Sequence, residues 1–253
     1  MLPQTPPFSL NGKSALVTGA GRGLGLAAAA ALAQAGADVT LLARSRDALA
    51  AACAEIDDAG GRSRYLCVDV TDAAALDAAL RDAPDFDIVV NSAGTNRPKA
   101  LVDVEDADID AVFDLNVKAA FRLCRTVSKK MIAAGKGGSI ITISSQMGHV
   151  GSPRRTVYCA SKHAIEGMSK SLAWELGPHG IRVNTVCPTF VETAFTADMF
   201  REPGFREWVC SKIALGRVGR IEDIMGAIVF LASDASALMT GSALMLDGGW
   251  TAV

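Results

Sequence analysis

The chain is poor in net charge, aromatic residues, histidine and long apolar runs. Its 25 Lys and Arg nearly balance 27 Asp and Glu, for a formal net charge of −2. Binding nucleic acid or an anionic membrane needs a net basic surface, so neither partner is expected. Mean hydropathy is high, at +0.26. Alanine runs such as 27–31 account for much of it, and no stretch reaches the roughly 18 apolar residues of a membrane span. There are three histidines, and six cysteines at 53, 67, 124, 159, 187 and 210. None forms a Cys-x-x-Cys pair or a His/Cys cluster of zinc spacing, so no metal is expected and the thiols are expected to be reduced and mostly buried. The opening MLPQTPPFSL lacks the basic start and apolar core of a signal peptide. A cytoplasmic location is expected, with residues 1–9 as an extended tail marked by Pro3, Pro6 and Pro7.

Half of the residues are hydrophobic and 21% are charged, which excludes disorder. At 253 residues the chain can bury most of its surface without a disulfide or metal staple. Short apolar runs at 14–18, 38–43, 63–68, 87–90, 139–144, 182–186 and 243–246 read as strands. They are apolar on both faces, as parallel strands covered by helices on both sides must be. Helical composition fills 24–35, 46–59, 72–80, 103–134, 158–176 and 221–231. Gly36, Gly60 and Gly177 mark expected helix stops, and Asp72 and Asp103 expected N-caps. This alternation without a composition break predicts one doubly wound α/β domain over 1–253.

Residues 189–219 break the rhythm. Phe190, Phe195, Phe200, Phe205 and Trp208 all fall there, in a chain with only 6% aromatics. Long insertions at the carboxyl ends of α/β strands are often binding loops, so this segment is expected to be a substrate lid.

The first strand runs into Gly19-Ala20-Gly21-Arg22-Gly23-Leu24-Gly25. Glycines let the backbone turn sharply and approach a pyrophosphate, and the following helix offers free N–H groups at its positive end. The spacing is T-G-x-x-x-G-x-G, from Thr18 to Gly25. A nicotinamide dinucleotide is the expected ligand. The end of the second strand reads Leu42-Ala43-Arg44-Ser45-Arg46, with no carboxylate for a ribose 2′-hydroxyl. Asp38 lies at the wrong end of that strand. Arg44, with Arg22 nearby, suits a 2′-phosphate, so NADP(H) is expected in preference to NAD(H).

Tyr158 and Lys162 stand at i, i+4 on one predicted helix. An ammonium beside a phenol lowers the phenol's pKa and permits proton exchange with a carbonyl or alcohol oxygen. Ser145 follows the fifth strand, at the sheet edge where such sites form.

From Lys13 to Trp250 the chain resembles the short-chain dehydrogenase/reductase family. The residues that carry the resemblance are TGAGRGLG at 18–25, Asp69, Asn91-Ser92-Ala93-Gly94, Asn116, Ser145, Tyr158, Lys162 and Pro188 to Thr193. It implies a Rossmann-type parallel sheet of about seven strands with helices on both faces, and hydride transfer between nicotinamide and a carbonyl or secondary alcohol. Tyr158 would be the acid/base, and Lys162 would lower its pKa and bond the nicotinamide ribose. Ser145 would hold the substrate oxygen, and Asn116 would fix a water that relays protons to Lys162. Cofactor contacts would come from Gly19, Gly21, Arg22, Gly23, Leu24 and Gly25, from Arg44 and Ser45, and from Asp69 and Val70 at adenine. Asn91, Ala93, Gly94, Pro188, Val191 and Thr193 would complete them. Two departures stand out: Ser92 replaces the usual second Asn, and Thr189 replaces the usual Gly after Pro188. Strand alternation sends Ser144 and Ser145 to opposite faces, and the family spacing selects Ser145.

The lid and the opening FSLNGK look similar to a gluconate 5-dehydrogenase-like branch, with a 3-oxoacyl-carrier-protein reductase branch nearly as close. Arg97, Lys99, Arg154 and Arg155 are expected at the pocket mouth, where they would attract an anionic substrate or remain solvated. His149 is expected as a surface or satisfied loop histidine, and Cys187 as a buried thiol. The resemblance also implies a homotetramer paired through 103–134 and 158–176. A non-catalytic dinucleotide sensor on the same fold is the rival expectation.

Overall fold

In the computed structural model, which describes residues 2–252, the short apolar runs become strands β1 (Ser14–Thr18), β2 (Asp38–Ala43), β3 (Arg62–Cys67), β4 (Ile88–Asn91), β5 (Gly138–Ile143), β6 (Ile181–Pro188) and β7 (Ala243–Leu246). All pair in parallel, in the order β3-β2-β1-β4-β5-β6-β7. The order reverses between β1 and β4, and their carboxyl ends open a crevice there.

Alternation along the strands builds two cores. Ala15, Val17, Val39, Leu41, Val90 and Ile141 face one side, against α1 (Gly23–Gln34), α2 (Arg46–Asp58) and α9 (Glu222–Ala232). Leu16, Leu42, Val89, Ile140 and Val183 face the other, against α3 (Ala73–Asp82), α5 (Ala119–Ala134) and α6 (Thr156–Leu176). The alanine run that raises the mean hydropathy lets α1 lie close to the sheet: Ala28, Ala29 and Leu32 are fully buried.

The expected helix at 103–134 is broken. Leu101–Asp103 is a 3-10 turn, α4 (Asp106–Phe113) follows, and Asp114–Lys118 winds as a π-helix before α5. Asp103 does not cap, because Glu105 and Asp108 form a capping box that starts the helix later. Asp72 does cap α3, accepting from the Ala75 amide at 3.0 Å. Gly36 and Gly60 take left-handed backbone after α1 and α2. Gly177 keeps helical dihedrals and opens one more turn, so the left-handed stop is Gly180. Residues 2–9 run exposed to the buried anchor Leu10, while Met1 lies outside the described residues.

Within 189–219 lie two short helices, α7 (Ala197–Phe200) and α8 (Phe205–Ser211). The ends of the segment are tied: Gly219 N–H donates to the Phe190 carbonyl at 2.8 Å, and Glu192 N–H to the Gly219 carbonyl at 2.9 Å.

Candidate active site

A cleft of about 940 Å³ opens at the carboxyl ends of the strands. Its floor is the glycine turn. Gly19 has φ of 66° and Gly23 of 59°, values L side chains rarely adopt. A Cβ on Gly19 would stand 3.0 Å from Ala93 backbone, and one on Gly25 would stand 2.3 Å from the Gly19 carbonyl oxygen. Thr18 locks the two loops together. Its hydroxyl donates to Asn91 Oδ1 (3.1 Å) and accepts from the Ser92 and Ala93 amides (3.2 and 3.3 Å).

These bonds engage the Asn91 side chain within the sheet. It is buried, stands beside Thr18 in the strand register, and does not reach the cleft; Ala93 and Gly94 do. Gly21, Arg22 and Leu24 line the cleft with the other glycines of the turn. Arg22 is the N-cap of α1, yet no side chain caps that helix. Its first amides are therefore left for an anion.

Arg44, Ser45, Asp69 and Val70 lie together at one end. Ser45 is occupied as the N-cap of α2, accepting from the Ala48 amide at 3.3 Å. Burial alone would raise Asp69, but two hydrogen bonds from Thr71 and the Arg44 guanidinium 3.7 Å away hold its carboxyl below the usual range. Arg44 is 76% exposed and free to swing onto an incoming phosphate.

Ser145, Tyr158 and Lys162 meet at the other end. Ser145 Oγ donates to Gln146 Oε1 at 3.1 Å and accepts from the Met147 amide at 3.1 Å, which fixes its rotamer. Lys162 is buried and its Nζ donates to the Ile143 carbonyl at 2.9 Å. Burial pushes the lysine down to about 8 and the Tyr158 phenol up to about 12. The lowered phenol pKa expected from its neighbour is therefore not met. Burial outweighs the hydrogen bond with Ser145 and the charge of Arg155, both of which act to lower it. Asn116 sits behind the cleft wall at the π-helical turn. It bonds the Thr95 amide (2.8 Å), the Thr95 carbonyl (2.9 Å) and Ser161 Oγ (3.0 Å), pinning the loop after β4 to α6.

Pro188, Val191 and Thr193 form the far wall. Thr193 leans over the glycine turn: a Cβ on Gly23 would lie 3.9 Å from its Cβ. Sequence reasoning passed over two polar atoms here. Asn96 Oδ1 and Thr189 Oγ1 are buried with no hydrogen-bond partner, on residues that line the cleft. Their sequence signal was weak, since Thr189 registered only as a departure from glycine. With the uncapped helix and the glycine cradle, they fit a dinucleotide laid across the sheet edge.

Behind Lys162 the fold joins three residues that no spacing links. Glu166 accepts from Thr185 Oγ1 at 3.0 Å and from Cys187 Sγ at 3.4 Å, and His149 Nε2 lies 3.6 Å from the carboxylate. His149 Nε2 also lies 3.5 Å from Cys187 Sγ, and burial pushes the Cys187 thiol up to about 12. The aromatics of 189–219 mostly pack on one another and on Trp250. Phe190 meets Phe200, Phe205 and Trp250, and Trp208 meets Phe205 and Trp250, with ring centroids between 5.5 and 6.3 Å apart. Phe195 stays half exposed at the cleft. Two of the four cations expected at the mouth are paired: Lys99 with Asp108 at 2.6 Å, and Arg154 with Glu202 at 3.9 Å.

The family model described as enoyl-(acyl carrier protein) reductase matches residues 19–251. The D-erythrulose reductase of Gallus gallus is 39% identical over 248 residues, covering 97% of this chain and 98% of its own. The gluconate 5-dehydrogenase of Gluconobacter oxydans is 37% identical, covering 96% of each. Among solved structures, a gluconate 5-dehydrogenase from Burkholderia cenocepacia in complex with NADP and tartrate superposes with a TM-score of 0.94. It is 33% identical, over 97% of this chain and 98% of that one.

Proposed function

The chain belongs to the short-chain dehydrogenase/reductase family, and from that premise we propose an NADP(H)-dependent interconversion of a carbonyl and a secondary alcohol with Tyr158 as acid/base. One observation carries the reading: a single cleft holds the glycine turn, Arg44, Ser145, Tyr158 and Lys162. A bound nicotinamide supplies or accepts the hydride. The remaining work belongs to the protein. Gly19 to Gly25 and the open amides of α1 take the pyrophosphate, and Arg44 and Arg22 take the 2′-phosphate. Ser145, oriented by Gln146 and Met147, holds the substrate oxygen and stabilises charge developing on it. Tyr158 gives that oxygen its proton during reduction and takes it back during oxidation. A phenol pushed up by burial is protonated at neutral pH, which suits reduction. Asn116 keeps Thr95 and Ser161 in register, and the resemblance adds a relay water beside Lys162.

The relatives named for D-erythrulose and gluconate support a small polyhydroxylated substrate for this chain. The self-packed lid aromatics favour that over a bulky apolar ketone or a long acyl chain. We assign 189–219 as the lid of a single domain. Exposed apolar residues on the two long helices, Phe121 and Trp174, support association into a homotetramer. Six unpaired cysteines support a reducing, cytoplasmic location. Replacing Tyr158 by Phe tests the core of this reading. NADPH binding should persist while turnover of every carbonyl substrate falls by at least about a hundredfold. A variant with near-normal kcat would overturn the assignment.

A further inference from the structure

Arg155 is 7% exposed, lines the cleft and begins the helix that carries Tyr158. Its two hydrogen bonds go to the Arg154 carbonyl (3.1 Å) and to the Met199 thioether sulfur (3.0 Å). A thioether is a weak acceptor, and a buried guanidinium ordinarily has a carboxylate. Among the described residues none lies within ion-pair distance of it. The acidic group whose field reaches it, Glu202, is already paired with Arg154. Burial first, and the charge of Arg154 second, push Arg155 down from its ordinary value.

A second feature points the same way. Arg155 is the N-cap of α6, and no side-chain hydrogen bond caps that 21-residue helix. Open amides, the positive end of the helix and an uncompensated guanidinium therefore converge at one end of the cleft. Arg154 holds the turn there in left-handed backbone, with φ of 60°.

Resting on the reaction proposed above, we infer that the substrate is an acid: a hydroxy or oxo carboxylate whose carboxylate pairs with Arg155 while its carbonyl meets Tyr158. Arg155, at the N-cap, and Tyr158, in the first turn of α6, line the same cleft, and the charge of the guanidinium reaches the phenol. One small substrate can meet both groups. One buried guanidinium matches a single planar carboxylate, which it can pair with through two parallel hydrogen bonds. Met199 and Phe190, which contribute to the same walls, would cover the carbon chain.

The test compares kcat/KM with NADPH for an oxo-aldonate, for the neutral ketose of equal chain length and for that ketose's phosphate ester. Tartrate binding to the NADP-saturated protein is measured alongside by calorimetry. The wild type should prefer the oxo acid. Arg155→Met should lower the ratio of acid to neutral turnover by about a hundredfold, chiefly through KM for the acid, and should weaken tartrate binding. Arg155→Lys should restore part of both. An unchanged ratio, or a wild-type preference for the ketose or its phosphate ester, would sink the inference. The two proposals fail separately. Arg155-dependent tartrate binding without turnover of any carbonyl leaves the anion site standing and removes the reaction. Turnover of neutral ketoses without tartrate binding does the reverse.

Discussion

The Lys162 ammonium lies 5.6 Å from the centroid of the Tyr158 ring. It faces the ring, and one of its N–H groups donates to the Ile143 carbonyl. Burial therefore moves the two groups in opposite directions, the lysine down to about 8 and the tyrosine up to about 12. A protonated phenol is available throughout the neutral range. Carbonyl reduction should then stay flat at neutral pH and decline as Lys162 loses its proton near 8. Alcohol oxidation should rise toward alkaline pH as the phenol becomes a better base. Profiles of kcat/KM in both directions check this; a reduction rate that climbs through that window contradicts it.

The same burial sets a stability prediction. Lys162 has a folded pKa below its ordinary 10.5. Between about 8 and 10.5 the unfolded chain binds more protons than the folded one, so stability rises with pH across that window. Below it the full cost of the buried charge is present. A shift of this size is roughly 3 kcal/mol, and losing the bond to Ile143 costs about 1 kcal/mol. Lys162→Met should thus be more stable than the wild type at neutral pH, with the gap closing near pH 10.5. Denaturant unfolding at two pH values measures it. A less stable variant at neutral pH would show that the ammonium is better solvated than its burial implies.

The sheet was legible because parallel strands buried on both faces are short apolar runs, and seven such runs are present. Tyr158, Lys162 and the glycine turn were legible because their spacing is local. What remained hidden depends on contacts between distant segments. Only the strand register shows Thr18 bonding the Asn91 side chain. The π-helical turn at Asn116 interrupts a pattern that reads as one helix. His149, Glu166 and Cys187 come from three elements and carry no shared spacing. Arg155 looked no different from Arg154 until burial separated them.

In the proposed site, cofactor choice is assigned to Arg44. It is held only by an exposed pair with Asp69 at 3.7 Å, and such pairs contribute little to stability. Arg44→Ala should therefore leave the fold intact. It should raise KM for NADPH by roughly tenfold to a hundredfold, the loss expected for a charge-assisted bond to phosphate. KM for NADH should barely move. Equal effects on both cofactors would show that Arg44 never reaches the 2′-phosphate.

Gly25, inside α1, is needed for space and not for its backbone conformation. Its added Cβ would lie 2.3 Å from the Gly19 carbonyl oxygen and 3.1 Å from Ala20 Cα, both rigid backbone. Gly25→Ala must push the glycine turn off α1. We expect a stability loss of about 1–3 kcal/mol, as for other overpacked sites, and a larger proportional loss of NADPH binding. Gly167→Ala is the control, since nothing lies within 4 Å of the added carbon there. Thermal melts with and without NADPH separate the two effects.

Phe190 is the hub of the proposed lid. It is 7% exposed and packs against Phe200 on α7, Phe205 on α8 and Trp250 beyond β7. Its carbonyl also accepts the Gly219 amide that ties the base of the segment. Phe190→Ala would leave a cavity among rings that cannot close over it, at a cost of about 3–5 kcal/mol for the side chain. The loss should be local, because the two cores against the sheet do not include this residue. Amide exchange should accelerate in 197–211 while β1 and β4 keep their protection. KM for substrate should rise more than KM for NADPH. Uniform loss of protection across the sheet would instead make the lid part of the folding core and not a cover over the cleft.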